Sequence, residues 1–157
     1  MDSLATGDEE KERIKNAIAL KDGSELEKIL DDLGRDVTDR DKRALGIITS
    51  LFGGKEVLEK ALNIAFNKQA RVAVENLARV LRILDAKGFK RFITIDMAEI
   101  RGFDYYTGII FEGFAKGAGK AIMAGGRYDS LMQKYGYPCA AVGFAFDIEN
   151  IAATMTH

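Results

Sequence analysis

Three stretches of the chain gather the side chains able to do chemistry: Arg101-Gly-Phe-Asp-Tyr-Tyr-Thr-Gly-Ile-Ile-Phe-Glu112, Ala124-Gly-Gly-Arg-Tyr-Asp129 and Ala141-Val-Gly-Phe-Ala-Phe-Asp-Ile-Glu-Asn150. Within them stand two arginines, three aspartates and three tyrosines among glycines and apolar strand formers. That mixture suits a small zwitterionic ligand better than a dry core. A guanidinium at Arg101 offers a planar fork of donors to a carboxylate or phosphate; the alternative is a surface ion pair with Glu99 or Asp104. Asp104 offers a counter-charge to an ammonium. Tyr105 and Tyr106, read as successive strand residues, point to opposite faces, so only one of them lines a given pocket. Gly125 and Gly126 let backbone approach whatever fills the cleft, and Arg127, Tyr128 and Asp129 then project from a strand-to-helix turn. Val142-Gly-Phe-Ala-Phe146 reads as a buried strand with a glycine at a close approach.

Other chemistries lack their parts. The single histidine, His157, is the last residue and the single cysteine is Cys139, so histidine acid–base catalysis, cysteine clusters and most zinc sites are excluded. No phosphate-binding loop and no G-x-G-x-x-G turn occurs; Lys116-Gly-Ala-Gly-Lys120 has the spacing of a hairpin. Lys42-Arg43 reads as a solvated helix face. No metal and no cofactor is expected.

With 157 residues, 47% hydrophobic and 30% charged, the chain can bury one sizeable core. Its 23 basic and 24 acidic residues sum to −1, so no global field draws nucleic acid or an anionic membrane. One cysteine, an acidic N-terminus without a signal-peptide pattern and no long apolar run point to a reducing, cytoplasmic setting.

Two textures follow one another. Up to Gly88 the apolar residues recur at helical spacing. Thr6-Gly-Asp-Glu9 and Ser24-Glu-Leu-Glu27 have the capping-box pattern, and a third helix is predicted from Thr38 to Leu51. A fourth carries Val57, Leu58, Ala61, Leu62 and Ala65, and a fifth Val74, Leu77, Val80, Leu81 and Leu84, joined near Asn67. From Phe89 the period falls toward two, with strands predicted at about 90–97, 104–115, 120–125 and 139–146. A hairpin turn falls at Gly117-Ala-Gly119, a short helix at 126–135 and a closing helix at 147–156. The fold class is α+β: a helical region at 1–88, then a mainly antiparallel sheet at 89–157.

Together the three stretches resemble, over about residues 90–155, the C-terminal half of the class II catalytic domain of the histidyl-tRNA synthetase family. The form Asp96…Glu99-Ile-Arg-Gly-Phe-Asp-Tyr-Tyr-Thr-Gly, after Lys21-Asp-Gly-Ser-Glu-Leu-Glu-Lys-Ile-Leu and Leu51-Phe-Gly-Gly-Lys-Glu-Val-Leu, is most similar to the branch that serves as regulatory subunit of ATP phosphoribosyltransferase in histidine biosynthesis. The resemblance implies a partial class II fold, a histidine site and no aminoacylation. In that site Arg101 meets the ligand carboxylate, a tyrosine of Tyr105-Tyr106 with Tyr128 lines the imidazole pocket, and Gly125-Gly126 forms its floor. Asp104 and Arg127 complete the candidate set. The partners implied are L-histidine, the short-form ATP phosphoribosyltransferase catalytic subunit and a second copy of the chain, with neither membrane nor nucleic acid. Two departures bear on activity. Synthetases close the third stretch with Glu-Arg, whose arginine engages ATP, whereas Glu149-Asn150 stands here. The earlier class II motifs are not found, so the chain reads as the C-terminal part of a longer protein. The alternative reading is a fragment of an authentic histidyl-tRNA ligase.

Overall fold

The structure is a computed structural model that describes residues 7–34, 37–65, 67–100 and 105–155. It divides into two compact units, Met1–Arg101 and Gly102–His157. The division thus falls later than the change of texture at 88/89.

The first unit is helical: α1 (Asp8–Ala19), α2 (Gly23–Asp32), α3 (Asp39–Ile48), α4 (Glu56–Ile64) and α5 (Lys68–Ala86). Local chemistry sets most of the starts. Thr38 accepts from the Asp41 amide and Asn67 from the Ala70 amide, each satisfying an otherwise orphaned donor. The α2 cap is Asp22, which accepts from the Glu25 amide, so the expected box at Ser24 is displaced by two residues. The carboxylate of Asp22 reaches the first-turn amide and leaves Ser24 inside the helix. Thr6 lies outside the described residues, and α1 starts after Gly7 without a side-chain cap. After α5 the chain turns at Gly88, whose φ of 83° is a conformation that favours glycine.

Ile14, Ala17 and Ile18 of α1 pack with Leu26, Ile29 and Leu30 of α2, Val37, Leu45 and Ala98 in one buried cluster. A second joins Leu51, Val57, Leu58, Ala61, Val74, Leu81 and Ile95. A two-stranded ribbon, β1 (Phe52–Gly53) against β2 (Ile95–Asp96), closes the unit. The predicted strand at 90–97 is therefore shortened to Ile95–Asp96, with a 3₁₀ turn at Lys90–Phe92 before it, and it pairs with a strand too short to carry a period-two signal. Lys21, at φ 54°, bonds Asp96 at 2.5 Å and lies 5.1 Å from the Phe52 ring, tying the α1–α2 turn to the ribbon.

The second unit is an antiparallel sheet in the order β3 (Ile110–Gly113), β4 (Met123–Arg127), β5 (Val142–Phe146), followed by α6 (Ile148–Met155). The β3–β4 hairpin turns through Gly117, at φ 86°, as its glycines predict. The strand expected over 104–115 begins only at Ile110. The short helix expected at 126–135 is reduced to a 3₁₀ turn at Met132–Tyr135, because β4 runs on to Arg127. β5 is not the buried strand expected: Val142, Phe144 and Phe146 are 72%, 61% and 53% exposed. Among the described residues every buried apolar side chain lies between Ile14 and Ala98, and in the second unit only Gly125 and Gly126 are buried. A three-stranded sheet with one short helix has too little apolar surface to enclose its own strands.

Candidate functional site

Register decides which residues share a face of the sheet. Gly126 pairs with Ile110 on one side and Gly143 on the other, and Glu112 faces Ala124 and through it Ala145. These residues form one face. Phe111, Gly125 and Phe144 are likewise in line across the three strands, with Gly113, Met123 and Phe146 beside them, on the opposite face. The two glycines therefore do not form one floor. A Cβ on Gly126 would lie 2.7 Å from Tyr106 Cε1, whereas one on Gly125 would meet Phe111 Cζ at 2.8 Å and the Gly143 carbonyl closer still. Gly143 is covered in turn by the Tyr128 hydroxyl. Bare backbone at Gly126 and Gly143 is what lets two tyrosine rings lie against the sheet.

The tyrosines gather on that face. Tyr105 and Tyr106 are 4.7 Å apart between ring centroids, and Tyr105 meets Tyr128 edge-on at 6.0 Å. The expected division of Tyr105 and Tyr106 between opposite faces does not hold. They precede β3, where the backbone has left the strand alternation: the Thr107 amide donates to the Arg127 carbonyl and the Arg127 amide to the Ile109 carbonyl. Tyr106 beside it raises the Tyr105 phenol above its ordinary range, with desolvation adding to the effect.

Asp129 pins the rim. Its carboxylate accepts from Arg127 Nε at 2.6 Å and from the Ala141 amide at 3.0 Å, while the Asp129 amide donates to Thr107 Oγ1 at 2.9 Å. Hydrogen bonding from the Arg127 guanidinium, then from the Ala141 amide, holds this carboxyl below the usual carboxylate range. Arg127, a candidate ligand contact, is thus engaged by Asp129, and its stem lies over Gly108. Asp129 and Thr107 escaped the sequence reading as organisers of the site. The hydroxyl and carboxylate flanking the tyrosines were the signal available. Arg101 and Asp104 lie outside the described residues.

Asn150 has a structural task. Its amide Nδ2 donates to the Ala121 carbonyl at 3.0 Å, and its backbone amide to Asp147 Oδ1, which caps α6. The side chain is spent on joining α6 to the start of β4. No group of histidine, cysteine and carboxylate side chains able to hold a metal occurs among the described residues, and no described helix is long and apolar enough to cross a membrane.

The sequence model of the family described as histidyl-tRNA synthetase matches residues 1–151. A protein of Geobacter metallireducens named ATP phosphoribosyltransferase regulatory subunit is 45% identical over 94% of this chain and 34% of its own length. One of the same name from Syntrophotalea carbinolica is 43% identical over 88% of this chain and 32% of its own. The chain spans about a third of the length of these curated relatives. Among solved structures, an ATP phosphoribosyltransferase regulatory subunit/histidyl-tRNA synthetase from Bacillus halodurans aligns with a TM-score of 0.81 at 25% identity, covering 94% of this chain and 38% of that one.

Proposed function

The chain belongs to the histidyl-tRNA synthetase family, and on that premise we propose that it is the histidine-recognition part of an ATP phosphoribosyltransferase regulatory subunit. It binds L-histidine without activating it, and passes its occupancy to the short-form catalytic subunit. The observation that carries the reading is the gathering of Tyr105, Tyr106 and Tyr128 against the bare backbone of Gly126 and Gly143. An aromatic cluster of that kind offers an imidazole ring faces to stack on, with phenol hydroxyls to meet its nitrogens. Arg101 takes the ligand carboxylate, Asp104 its ammonium, and the Asp129 knot holds the tyrosines in register. Arg127 acts through Asp129 as a positioning residue.

Asn150 favours regulation over ligation. Amino-acid activation needs a cation on the triphosphate, and here an uncharged amide bonds the Ala121 carbonyl. A regulatory subunit needs only a difference in histidine affinity between two states of its complex, typically a coupling of about 1–3 kcal/mol, or roughly 5–150-fold. The test is the affinity of the chain for the catalytic subunit encoded in the same genome, measured with and without L-histidine. A shift within that range is expected. An affinity indifferent to histidine sinks the regulatory reading.

A further inference from the structure

The outward face of α5 is unlike that of any other described helix. α1, α2, α3, α4 and α6 each carry an acidic residue in the first turn, as the helix dipole favours. α5 carries none there and begins instead with Lys68 and Arg71. Cations at a helix N-terminus oppose the dipole, so helix stability does not account for them. Arg79 and Arg82 continue the same face, since at 3.6 residues per turn all four fall in an arc of about 80°. All four are exposed and none forms an ion pair among the described residues. The inward face, with Val74 and Leu81 buried, is committed to the core.

Apolar side chains are set among these charges. Val72 and Ile83 border the arc along one side, each more than half exposed, and Phe92 beyond the helix is 69% exposed under the Arg91 guanidinium, 4.6 Å from its ring. Between Lys68 and Phe92 seven basic residues stand against Glu75 and Asp85, a local balance of +5 within a chain of −1. Asp85 is held by Lys55, so it does not quench the face. Unpaired arginines beside exposed aliphatic and aromatic groups are the composition of a protein interface rather than of a solvated helix.

We propose that the outward face of α5, with the Phe89–Phe92 turn, docks an acidic, partly apolar surface of the catalytic subunit. This rests on the regulatory reading above and names the surface through which it acts. Glu75, near the centre of the arc, argues for protein over nucleic acid. A carboxylate there repels a phosphate backbone yet pairs with a lysine or arginine on a folded partner, fixing register.

The test is binding of the whole chain to the catalytic subunit of the same genome, by calorimetry at low and raised ionic strength. Wild type is compared with Arg71→Gln/Arg79→Gln/Arg82→Gln, which keeps good helix formers at all three positions. Lys15→Gln/Lys28→Gln/Lys42→Gln removes the same charge elsewhere as a control. Expected are a loss of about tenfold or more in the arginine variant, a flatter salt dependence, and a control within about threefold of wild type. Equal affinity of wild type and arginine variant overturns the docking face and leaves the regulatory reading standing. Absence of any wild-type binding overturns the regulatory reading and the docking face with it. A parallel titration with transfer RNA completes the set: RNA binding lost in the arginine variant while the catalytic subunit still binds it normally makes the face a nucleic-acid surface and overturns the proposal.

Discussion

Adding one methyl group at Gly126 and one at Gly125 should separate binding from folding. At Gly126 the new Cβ would stand 2.7 and 2.8 Å from Cε1 and Cδ1 of Tyr106, and 3.0 Å from the Ile109 carbonyl oxygen, which needs to give by only a few tenths of an ångström. Ordinary carbon contacts lie at about 3.5–4.0 Å, so the ring must retreat by roughly 0.8 Å or more. A half-buried tyrosine ring can retreat, and the unit keeps its fold, but the ring then moves into the space proposed for the ligand. Overpacking of this kind costs about 1–3 kcal/mol, which, falling on the bound state, weakens histidine binding by roughly 5–150-fold. At Gly125 the neighbours are the Gly143 carbonyl and the Cβ of Phe144 in the paired strand, together with the Phe111 ring. Backbone cannot step aside, so the same methyl group forces β4 and β5 apart. Calorimetric titration with L-histidine, paired with thermal melting, reads both effects. Gly126→Ala should lose affinity and melt only modestly below wild type, and Gly125→Ala should melt well below both. A Gly126→Ala protein that binds histidine as wild type does would show that Tyr106 does not lie over the ligand floor, and the site geometry would be wrong.

Other outcomes follow from the same structure. Arg101→Ala should cost any histidine binding about 1.5–3 kcal/mol, a tenfold to hundredfold loss, since a charge-assisted pair with the carboxylate goes; unchanged calorimetric affinity would return Arg101 to the surface. The Asp129 carboxyl is depressed in the folded state, so its contribution is present above the ordinary aspartate range and is lost as pH falls through the lowered folded value. Asp129→Asn should abolish that acid-limb dependence in a pH series of melts of the second unit, and an unaltered acid limb would assign it to other groups. Leu26→Ala, at a fully buried position of α2, should destabilise the first unit by about 2–5 kcal/mol in chemical denaturation; a loss below about 1 kcal/mol would mean the helices repack freely. Because Val142, Phe144 and Phe146 are exposed on a strand with a free edge, the chain should self-associate in light scattering as concentration rises. A stable monomer at high concentration would contradict that.

Most features written in a few consecutive residues were legible in the sequence, the α2 cap at Asp22 in place of Ser24 being an exception. Thr38 and the Asp41 amide, the stop at Gly88 and the turn at Gly117 each involve only neighbours, and the chemistry of the side chain decides them. Features set by partners far along the chain were not. Phe52–Gly53 and Ile95–Asp96 are strands only because each supplies the other's hydrogen bonds, and two residues leave no period to read. β5 has the apolar content of a buried strand, yet burial depends on a covering layer that the described residues of the second unit do not provide. The glycine pair was visible, but its splitting between faces comes from the β3–β4–β5 register. Tyr105 and Tyr106 were placed by a strand alternation that begins only at Ile110. The cations of α5 were countable from the start. Their conflict with the helix dipole becomes visible only once the helix is known to begin at Lys68.

The central claim is that this chain recognises histidine by its carboxylate and its ring, without chemistry. It is tested most directly by calorimetric titration with L-histidine against histidinol, which keeps the imidazole and the ammonium and lacks the carboxylate. The expected result is saturable binding of one L-histidine per site, with histidinol weaker by about tenfold or more for want of the guanidinium contact. Equal affinity for the two ligands, or no binding of either, would contradict the claim.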